Sequence, residues 1–375
     1  MGSFDFTGKR RCAPETDVPS ISALTESQHA VARASLNRMP VLEPNKRSGV
    51  AYALTKDGVE LPVIDITHPV FALNITDAEQ SALVQKFLRE PIPFHFLPRR
   101  IRTALLQFFL RNSMLAEGIR RSQNSFMTGM HTYLLKLGPD MLPTAYANPI
   151  DRRIAVSLPA VAVRLRVQDV ASLMVEAVVS PLSQAPNRPL HLINIAGGPA
   201  IDSLNMLILL CKNHPGILAQ REIFLDILDL DDTGPAFGQG ALAALSAPGA
   251  PLHGLRVNFR AIHYDWSNTD VLQQAVNEAR CREGLILCSS EGGLFEYGSG
   301  EDVLANLKVL HAADQVIGVA GSATRADEPI QRLHTISSAK TKPRGLSAFR
   351  ALVQKAGWDV SRVIERPFSD HFLLR

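Results

Sequence analysis

The segment that decides the fold lies at residues 190–206 and reads LHLINIAGGPAIDSLNM. Its first six residues, Leu190–Ile195, are mostly apolar, which is typical of a strand buried on both faces of a sheet. The turn Gly197-Gly198-Pro199 follows, and an apolar run with helical spacing begins at Ile201. A buried strand, a turn of small residues and a helix in this order predict one βα unit of a parallel sheet.

Further apolar runs follow this unit at distances that leave room for a helix between neighbours. They cover residues 223–228, 255–262, 285–288 and 316–319. Buried strands with such connections predict a parallel sheet with helices on both faces. The chain ends in two extended stretches, 358–365 and 371–375, and so short a link between them suits an antiparallel pair. The predicted fold class is therefore α/β, a Rossmann-like parallel sheet with a C-terminal antiparallel strand.

The first 150 residues follow a different pattern. The first fifty lack a sustained period, residues 59–66 indicate a short strand or extended segment, and helical spacing begins at Asp77. It continues through residues 101–115 and 126–137, and an amphipathic helix at 161–179 opens the second part. We therefore predict two domains, a mostly helical region at 1–150 and an α/β domain at 151–375.

Composition and charge exclude several classes of protein. The chain has 375 residues, of which 46% are hydrophobic and 20% charged, so it has ample material for a core. The formal net charge of +3 is too small to indicate a nucleic-acid-binding protein. The four cysteines form no Cys-x-x-Cys pair and the eleven histidines show no metal spacing, so we expect no bound metal.

The sequence also predicts a soluble protein of the cytoplasm. The N-terminus has no apolar signal core. The densest apolar run, at residues 204–211, is far shorter than the ~20 residues that a membrane span needs. We therefore expect no membrane partner.

Ligands of an open parallel sheet bind at the carboxyl ends of its strands, so the residues that follow each run are the candidate site. After the first run, the small residues at 196–200 let a ligand approach the backbone and the next helix N-terminus. Asp229 ends the second run, where a carboxylate can accept both hydroxyl protons of a ribose. After the third run, Asp265 can accept an exocyclic amine and Trp266 can pack on a base.

These stretches, in this order, resemble the class I S-adenosylmethionine-dependent methyltransferases over roughly residues 155–375. The family's acid-x-Gly-x-Gly-x-Gly motif falls on residues 194–200, where Gly198 matches a motif glycine, Asn194 replaces the acid, and alanines replace the outer glycines. Asp229 follows Asn194 at a longer distance than is usual in the family. The end of the chain, Ala356-Gly357-Trp358 before two antiparallel strands, is similar to the end of the family's domain.

The resemblance implies S-adenosylmethionine as the cofactor. The cofactor-binding residues predicted from it are Asn194, Ala196, Gly197, Gly198, Pro199, Asp229, Leu230, Asp265, Trp266 and Ser289. Arg164 is a further candidate, because it lies on the helix before the first strand, where it can reach the cofactor's carboxylate or lie on a solvated face. A nicotinamide-binding Gly-x-Gly-x-x-Gly fingerprint fails because its third glycine falls on Ile201 or Asp202. Structural alternatives remain open, since the two glycines can form a simple turn and either aspartate can cap a helix.

The fourth run leads into residues 288–302, where the family places its reacting groups. Glu291 and Glu296 can each serve as a general base or hold the ammonium group of an acceptor. The rings of Tyr297 and Phe295 can enclose a methyl cation. His131 can line an acceptor pocket, although a half-buried structural histidine is the commoner outcome. The candidate catalytic residues are therefore Glu291, Glu296, Tyr297 and His131.

The sequence thus predicts an enzyme that transfers a methyl group to an O, N or S nucleophile of a small molecule. In this hypothesis, residues 1–150 cover the acceptor or form a homodimer. The alternative is a catalytically idle methyltransferase-like domain that acts as a binding or assembly partner. An RNA methyltransferase is disfavoured by the near-neutral charge, although Lys340, Lys342 and Arg344 form a small basic loop.

Overall fold

The computed structural model describes residues 40–91, 101, 113–116, 128–144, 148–337 and 340–375. Most of the helix predicted at 101–115 and the start of the one predicted at 126–137 lie outside these residues. Residues Pro40–Arg375 form one compact unit. The division at residue 150, the homodimer and the cytoplasmic location stay predictions.

The described residues form strands and helices in regular alternation after residue 185. The strands are β1 (Tyr52–Leu54), β2 (Glu60–Pro62), β3 (Leu190–Ile195), β4 (Glu222–Asp229), β5 (Arg256–His263), β6 (Leu285–Ser290), β7 (Val316–Thr324), β8 (Val360–Glu365) and β9 (Ser369–Leu374). The helices are α1 (Asp77–Arg89), α2 (Gly129–Lys136), α3 (Pro149–Ala155), α4 (Leu158–Gln184), α5 (Ile201–Asn213), α6 (Thr233–Leu245), α7 (Asp270–Cys281), α8 (Leu294–Tyr297), α9 (Gly300–His311), α10 (Glu328–Ser337) and α11 (Gly345–Gln354).

Seven strands form the main sheet in the order β5-β4-β3-β6-β7-β9-β8. Neighbours from β5 to β7 are parallel, and β9 pairs antiparallel with both β7 and β8. The predicted fold class is therefore confirmed, including the antiparallel finish. The extended segment predicted at 59–66 contains β2, which pairs antiparallel with β1 in a separate small sheet.

Alternate residues of the central strands enter two different hydrophobic cores, as the period of a strand requires. Leu192 and Leu287 pack with α4, α5 and α6 on one face, whereas Ile193 and Ile286 pack with α7, α9 and α11 on the other. Both faces of the sheet are thus covered. This burial explains why the central strands lack polar alternation in the sequence.

Helix α4 is longer than the sequence predicts at both ends. It starts at Leu158 and continues through Pro181, which lies in its last turn. The buried guanidinium of Arg221 donates to the carbonyl oxygens of Leu182 at 3.1 Å and Ala185 at 3.0 Å. A cation that satisfies the last carbonyls stabilises a helix C-terminus, which accounts for the extra turn.

The C-terminal hairpin is tied to α4 by a buried polar contact. Asp169 accepts hydrogen bonds from Arg366 at 2.8 Å and from Nδ1 of His371 at 2.8 Å. Nε2 of His371 lies 3.1 Å from the hydroxyl of Ser369. Burial acts to raise the pKa of Asp169, but its hydrogen bonds to His371 and Arg366 outweigh burial and lower it. The hairpin is thus fixed against the helix that precedes β3.

No helix among the described residues is long and apolar enough to cross a membrane.

Candidate functional site

The carboxyl ends of the central strands meet at one edge of the sheet. In the register, Asn194 at the end of β3 pairs with Ile227 of β4 and with Ser289 of β6. Asp229 at the end of β4 pairs with His263 of β5. The predicted cofactor-binding residues that follow β3, β4 and β5 therefore begin at the same edge, as expected for a parallel sheet.

Asn194 lies in a buried polar cluster below the glycine loop, which we define as residues 194–200. Its Nδ2 lies 2.8 Å from Oδ1 of Asp202, 3.2 Å from the hydroxyl of Ser203 and 3.0 Å from the hydroxyl of Ser289. A Cβ atom on Gly197 would lie 1.9 Å from Oδ1 of Asn194, so only glycine fits there. The amide of Asn194 thus holds β3, α5 and β6 together beneath the loop.

Gly198 brings three backbone segments into contact. A Cβ atom built on Gly129, at the start of α2, would lie 2.6 Å from the Cα atom of Gly198. A Cβ atom built on Gly234 of α6 would lie 2.7 Å from the same atom. At Gly198 the space left by the missing side chain is therefore filled by the backbone of Gly129, rather than left for a ligand.

Asp229 is held by the glycine loop and by the turn that follows β4. Its Oδ2 accepts from the backbone N–H of Gly198 at 2.9 Å, and its Oδ1 accepts from the N–H of Asp231 at 3.0 Å. Burial raises the pKa of Asp229 despite these bonds. Each carboxylate oxygen still has a second lone pair. Leu230 beside it is 55% exposed, so an apolar surface adjoins the carboxylate.

Asp265 and Trp266 follow β5 on the same side. Asp265 is exposed and accepts from the N–H of Ser267 at 3.0 Å, and hydrogen bonds from Ser267 lower its pKa. The carbonyl of Trp266 accepts from Asn306 of α9 at 2.8 Å, which fixes the turn. Helices α6 and α7 have other N-cap residues, Asp232 and Thr269, so neither Asp229 nor Asp265 is a helix cap.

The loop after β6, which we call the Glu291 loop (residues 291–298), is fixed by buried ion pairs. The Nζ atom of Lys136 lies 2.5 Å from Oε2 of Glu291, and Nε of Arg166 lies 2.7 Å from Oε1. Nη1 of Arg166 lies 3.0 Å from both oxygens of Glu296, which also accepts from the hydroxyl of Ser322 at 3.0 Å. Helices α2 and α4 and strand β7 thus all hold this loop.

The ion pairs determine the state of Glu291. Burial acts to raise its pKa, but the charges of and hydrogen bonds from Lys136 and Arg166 outweigh burial, so the pKa lies below its ordinary value. Both of its oxygens already accept hydrogen bonds from cations. This geometry favours a positioning role for Glu291, and its role as general base stays a prediction.

The aromatic residues of the Glu291 loop differ in their surroundings. Phe295 is buried and packs edge to face on Phe349 and Phe372, so it belongs to the core and does not enclose a ligand. Tyr297 is partly exposed. Burial and the charge of Glu296 raise the pKa of Tyr297 to about 12, so its hydroxyl is protonated near neutral pH. Tyr297 remains a candidate for acceptor contact.

Two other candidates lie on the helices that flank the site. Arg164 donates to the carbonyl of Phe71 at 3.3 Å, and its guanidinium packs against Gly138. His131 of α2 is half-buried, with Nδ1 2.8 Å from the hydroxyl of Thr128. It lies two residues after Gly129, the residue of α2 that contacts the glycine loop. His131 therefore lies on the helix whose first residue contacts the glycine loop.

Four residues of the site, Lys136, Asp202, Ser203 and Ser322, are not predicted from the sequence. Lys136 carried a signal, because it is the one charged residue of an apolar run at residues 133–137. A lone charge in a buried helix face requires a counter-ion elsewhere in the chain. Which residue supplies it is not visible in the sequence.

The predicted basic loop packs onto the Glu291 loop. The N–H of Lys342 donates to the carbonyl of Glu296 at 2.7 Å, and Arg344 donates to the carbonyls of Phe295 and Gly298. Arg344 is therefore engaged with the backbone of the site. Within the described ranges, no group of three or more His, Cys, Asp or Glu side chains can hold a metal ion.

No protein-family model matches the chain, and no curated protein matches its sequence. Solved structures do match. A putative O-methyltransferase from Nostoc punctiforme is 13% identical, with a TM-score of 0.33, over 54% of this chain and 55% of that one. A dimethyltransferase of N,N-8-amino-8-demethyl-D-riboflavin from Streptomyces davawensis is 14% identical, with a TM-score of 0.34, over 70% and 67%.

An O-methyltransferase of neocarzinostatin biosynthesis, solved with S-adenosylmethionine and a naphthoic acid, is 12% identical. Its TM-score is 0.31, and the match covers 49% of this chain and 48% of that one. The chain thus spans about half the length of this protein and of the Nostoc protein. With TM-scores this low, assignment of the site rests on the residues of this chain. By its strand order and its antiparallel finish, the part of the chain from α4 to β9 has the Rossmann-like fold of the class I methyltransferases.

Proposed function

We propose that this chain transfers a methyl group from S-adenosylmethionine to an O, N or S nucleophile of a small molecule. The observation that carries the proposal is the position of Asp229. Its carboxylate ends β4, contacts the glycine loop through the N–H of Gly198, and adjoins the exposed side chain of Leu230. A carboxylate beside an apolar surface at this edge suits a ribose with its attached base.

The residues present fit the adenosyl end of this cofactor. Asp229 has lone pairs left for the ribose hydroxyls, and Leu230 and Trp266 offer apolar surface for the base. The exposed carboxylate of Asp265 can accept from an exocyclic amine. When bound, S-adenosylmethionine supplies an electrophilic methyl group.

The chain's own contribution to transfer is then chiefly orientation. Lys136 and Arg166 fix the Glu291 loop from two helices, so any acceptor contact that Tyr297 makes comes from a rigid segment. Holding two reactants in line is a large source of rate enhancement without proton transfer. Glu296 and His131 remain candidates for binding or deprotonating the acceptor.

The test of this proposal is calorimetric titration with S-adenosylmethionine. Asp229→Asn keeps one oxygen for the N–H of Gly198 and removes the charge that the ribose hydroxyls require. We expect affinity to fall by about 10- to 100-fold, the range for hydrogen bonds to a charged group. The matched control is Asp232→Asn, since Asp232 is an exposed acid of the same turn. Equal affinities for both variants would reject the assignment of Asp229.

An idle domain that binds a partner remains the second candidate. It is favoured by the backbone of Gly129, which fills the space beside Gly198, and by the pairing of both loop glutamates with Arg166. This candidate predicts no heat and no thermal stabilisation with S-adenosylmethionine or S-adenosylhomocysteine, even at high concentration. Binding of either ligand would exclude it as a description of the cofactor site.

A further inference from the structure

Asp202 is a buried carboxylate beneath the glycine loop, and the proposed reaction gives it no role. It lies in the first turn of α5 and is fully buried. Its Oδ1 accepts from Nδ2 of Asn194 at 2.8 Å. Its Oδ2 has no hydrogen-bond partner among the residues that the structure describes. A buried carboxylate oxygen without a hydrogen-bond partner destabilises the folded state, so a carboxylate at this position requires an explanation.

The charges around Asp202 do not balance when it is ionised. Lys136 and Arg166 carry two positive charges, and Glu291 and Glu296 carry two negative charges, all four in direct ion pairs. Asp202 feels the charges of Glu291 and Lys136 and adds one negative charge. Among these five buried side chains, ionised Asp202 therefore leaves an excess of one negative charge.

The groups that face Asp202 place its titration near neutrality. Burial and the like charge of Glu291 raise its pKa to about 6, although the nearby polar groups of Ser289 and Ser203 and the charge of Lys136 act to lower it. Ser289 belongs to β6, Glu291 to the loop after it, and Lys136 to α2. Asp202 is thus mostly protonated at pH 5 and mostly ionised at pH 8.

We propose that Asp202 is a specificity-determining residue that makes this site favour a cationic ligand over its neutral counterpart. The proposal rests on the proposed function. S-Adenosylmethionine carries a positive sulfonium, whereas S-adenosylhomocysteine has a neutral thioether in its place. A negative charge in a dry interior beneath the glycine loop stabilises the sulfonium more strongly than it would in water. The uncompensated charge of Asp202 therefore favours release of the product over release of the methyl donor.

The test compares the two ligands by calorimetry at pH 5 and pH 7. At both pH values the amino group of either ligand is mostly an ammonium, so its ionisation nearly cancels in the ratio of their dissociation constants. We expect the preference for S-adenosylmethionine to rise about fivefold between these pH values, because a coupling of one pKa unit is tenfold in full and is partly present already at pH 5. In Asp202→Asn the preference should be the same at both pH values. Ser203→Ala, which keeps the carboxylate, should retain the rise.

The outcomes separate the two proposals. If neither ligand binds at either pH, the proposed function fails. If both bind and the wild-type preference does not change with pH, only the role of Asp202 is overturned. A rise that persists in Asp202→Asn overturns it as well and assigns the pH dependence to another group. Because the wild-type comparison needs no variant, the proposal stays testable if Asp202→Asn fails to fold.

Discussion

Replacing Lys136 by methionine tests whether the buried ion pairs stabilise the Glu291 loop. The side chains of Lys136 and Glu291 are 5% and 1% exposed, and their charged atoms lie 2.5 Å apart. Methionine is similar in length, so the change removes the charge and leaves most of the packing. Breaking a buried pair by removing one partner typically costs 3–5 kcal/mol because the other charge stays buried. Glu291 keeps its bond from Arg166, so we expect a loss near the lower end, about 3 kcal/mol.

The assay is urea unfolding at pH 7, followed by circular dichroism. The matched control is Lys46→Met, because Lys46 pairs with Glu60 at 2.7 Å but is 49% exposed. An exposed pair contributes at most about 1 kcal/mol, so the control should change stability little. The double variant Lys136→Met/Glu291→Gln should lose less than the sum of its single variants, because it removes both charges of the pair and leaves neither one buried without its partner.

Acid provides a second measurement on the same pair. The pKa of Glu291 is lowered in the folded state, so its contribution is fully present above the unfolded value of 4.5 and is lost as the pH falls through the folded pKa. The difference between wild type and Lys136→Met should therefore shrink below about pH 4.5. The reasoning is refuted if Lys136→Met at pH 7 costs no more than Lys46→Met.

Three further predictions concern single side chains, each measured by urea unfolding. Asp202→Asn should stabilise the protein by about 3 kcal/mol at pH 8, because the pKa of Asp202 is about 6 in the folded state and 3.8 in the unfolded state, so ionisation destabilises the folded state increasingly between these pH values. A gain in stability that does not shrink as the pH falls from 6 to 4 would contradict this. Gly129→Ala should lower the free energy of unfolding by about 1–3 kcal/mol, because its Cβ would meet the backbone of Gly198. Gly240→Ala in α6, where the nearest atom lies 3.5 Å from the new Cβ, should raise it by about 0.5–1 kcal/mol, and equal effects of the two variants would count against the close contact. Arg221→Met should cost about 2–3 kcal/mol by leaving the last carbonyls of α4 unpaired, and a neutral result would show that water replaces the guanidinium.

The sequence by itself determined the sheet. Each run of apolar residues carries its own signal, because a strand that is buried on both faces must be apolar along its length. Leu190–Ile195 is predicted with the bounds that the structure has, and the short link before β9 predicts the antiparallel finish. The strand ends then fix where Asn194, Asp229 and Asp265 lie, since parallel strands end at one edge.

The tertiary structure alone decided which side chains meet at that edge. Lys136 and Glu291 are 155 positions apart, and Arg166 and Glu296 are 130 apart, so no local pattern pairs them. The sequence predicts Glu291 as a general base or as an anchor for an ammonium group, because nothing in the loop indicates that two cations already hold it. Only the packing of α2 and α4 against the Glu291 loop buries it and supplies its cations, because ion pairs form between surfaces that the chain brings together on folding.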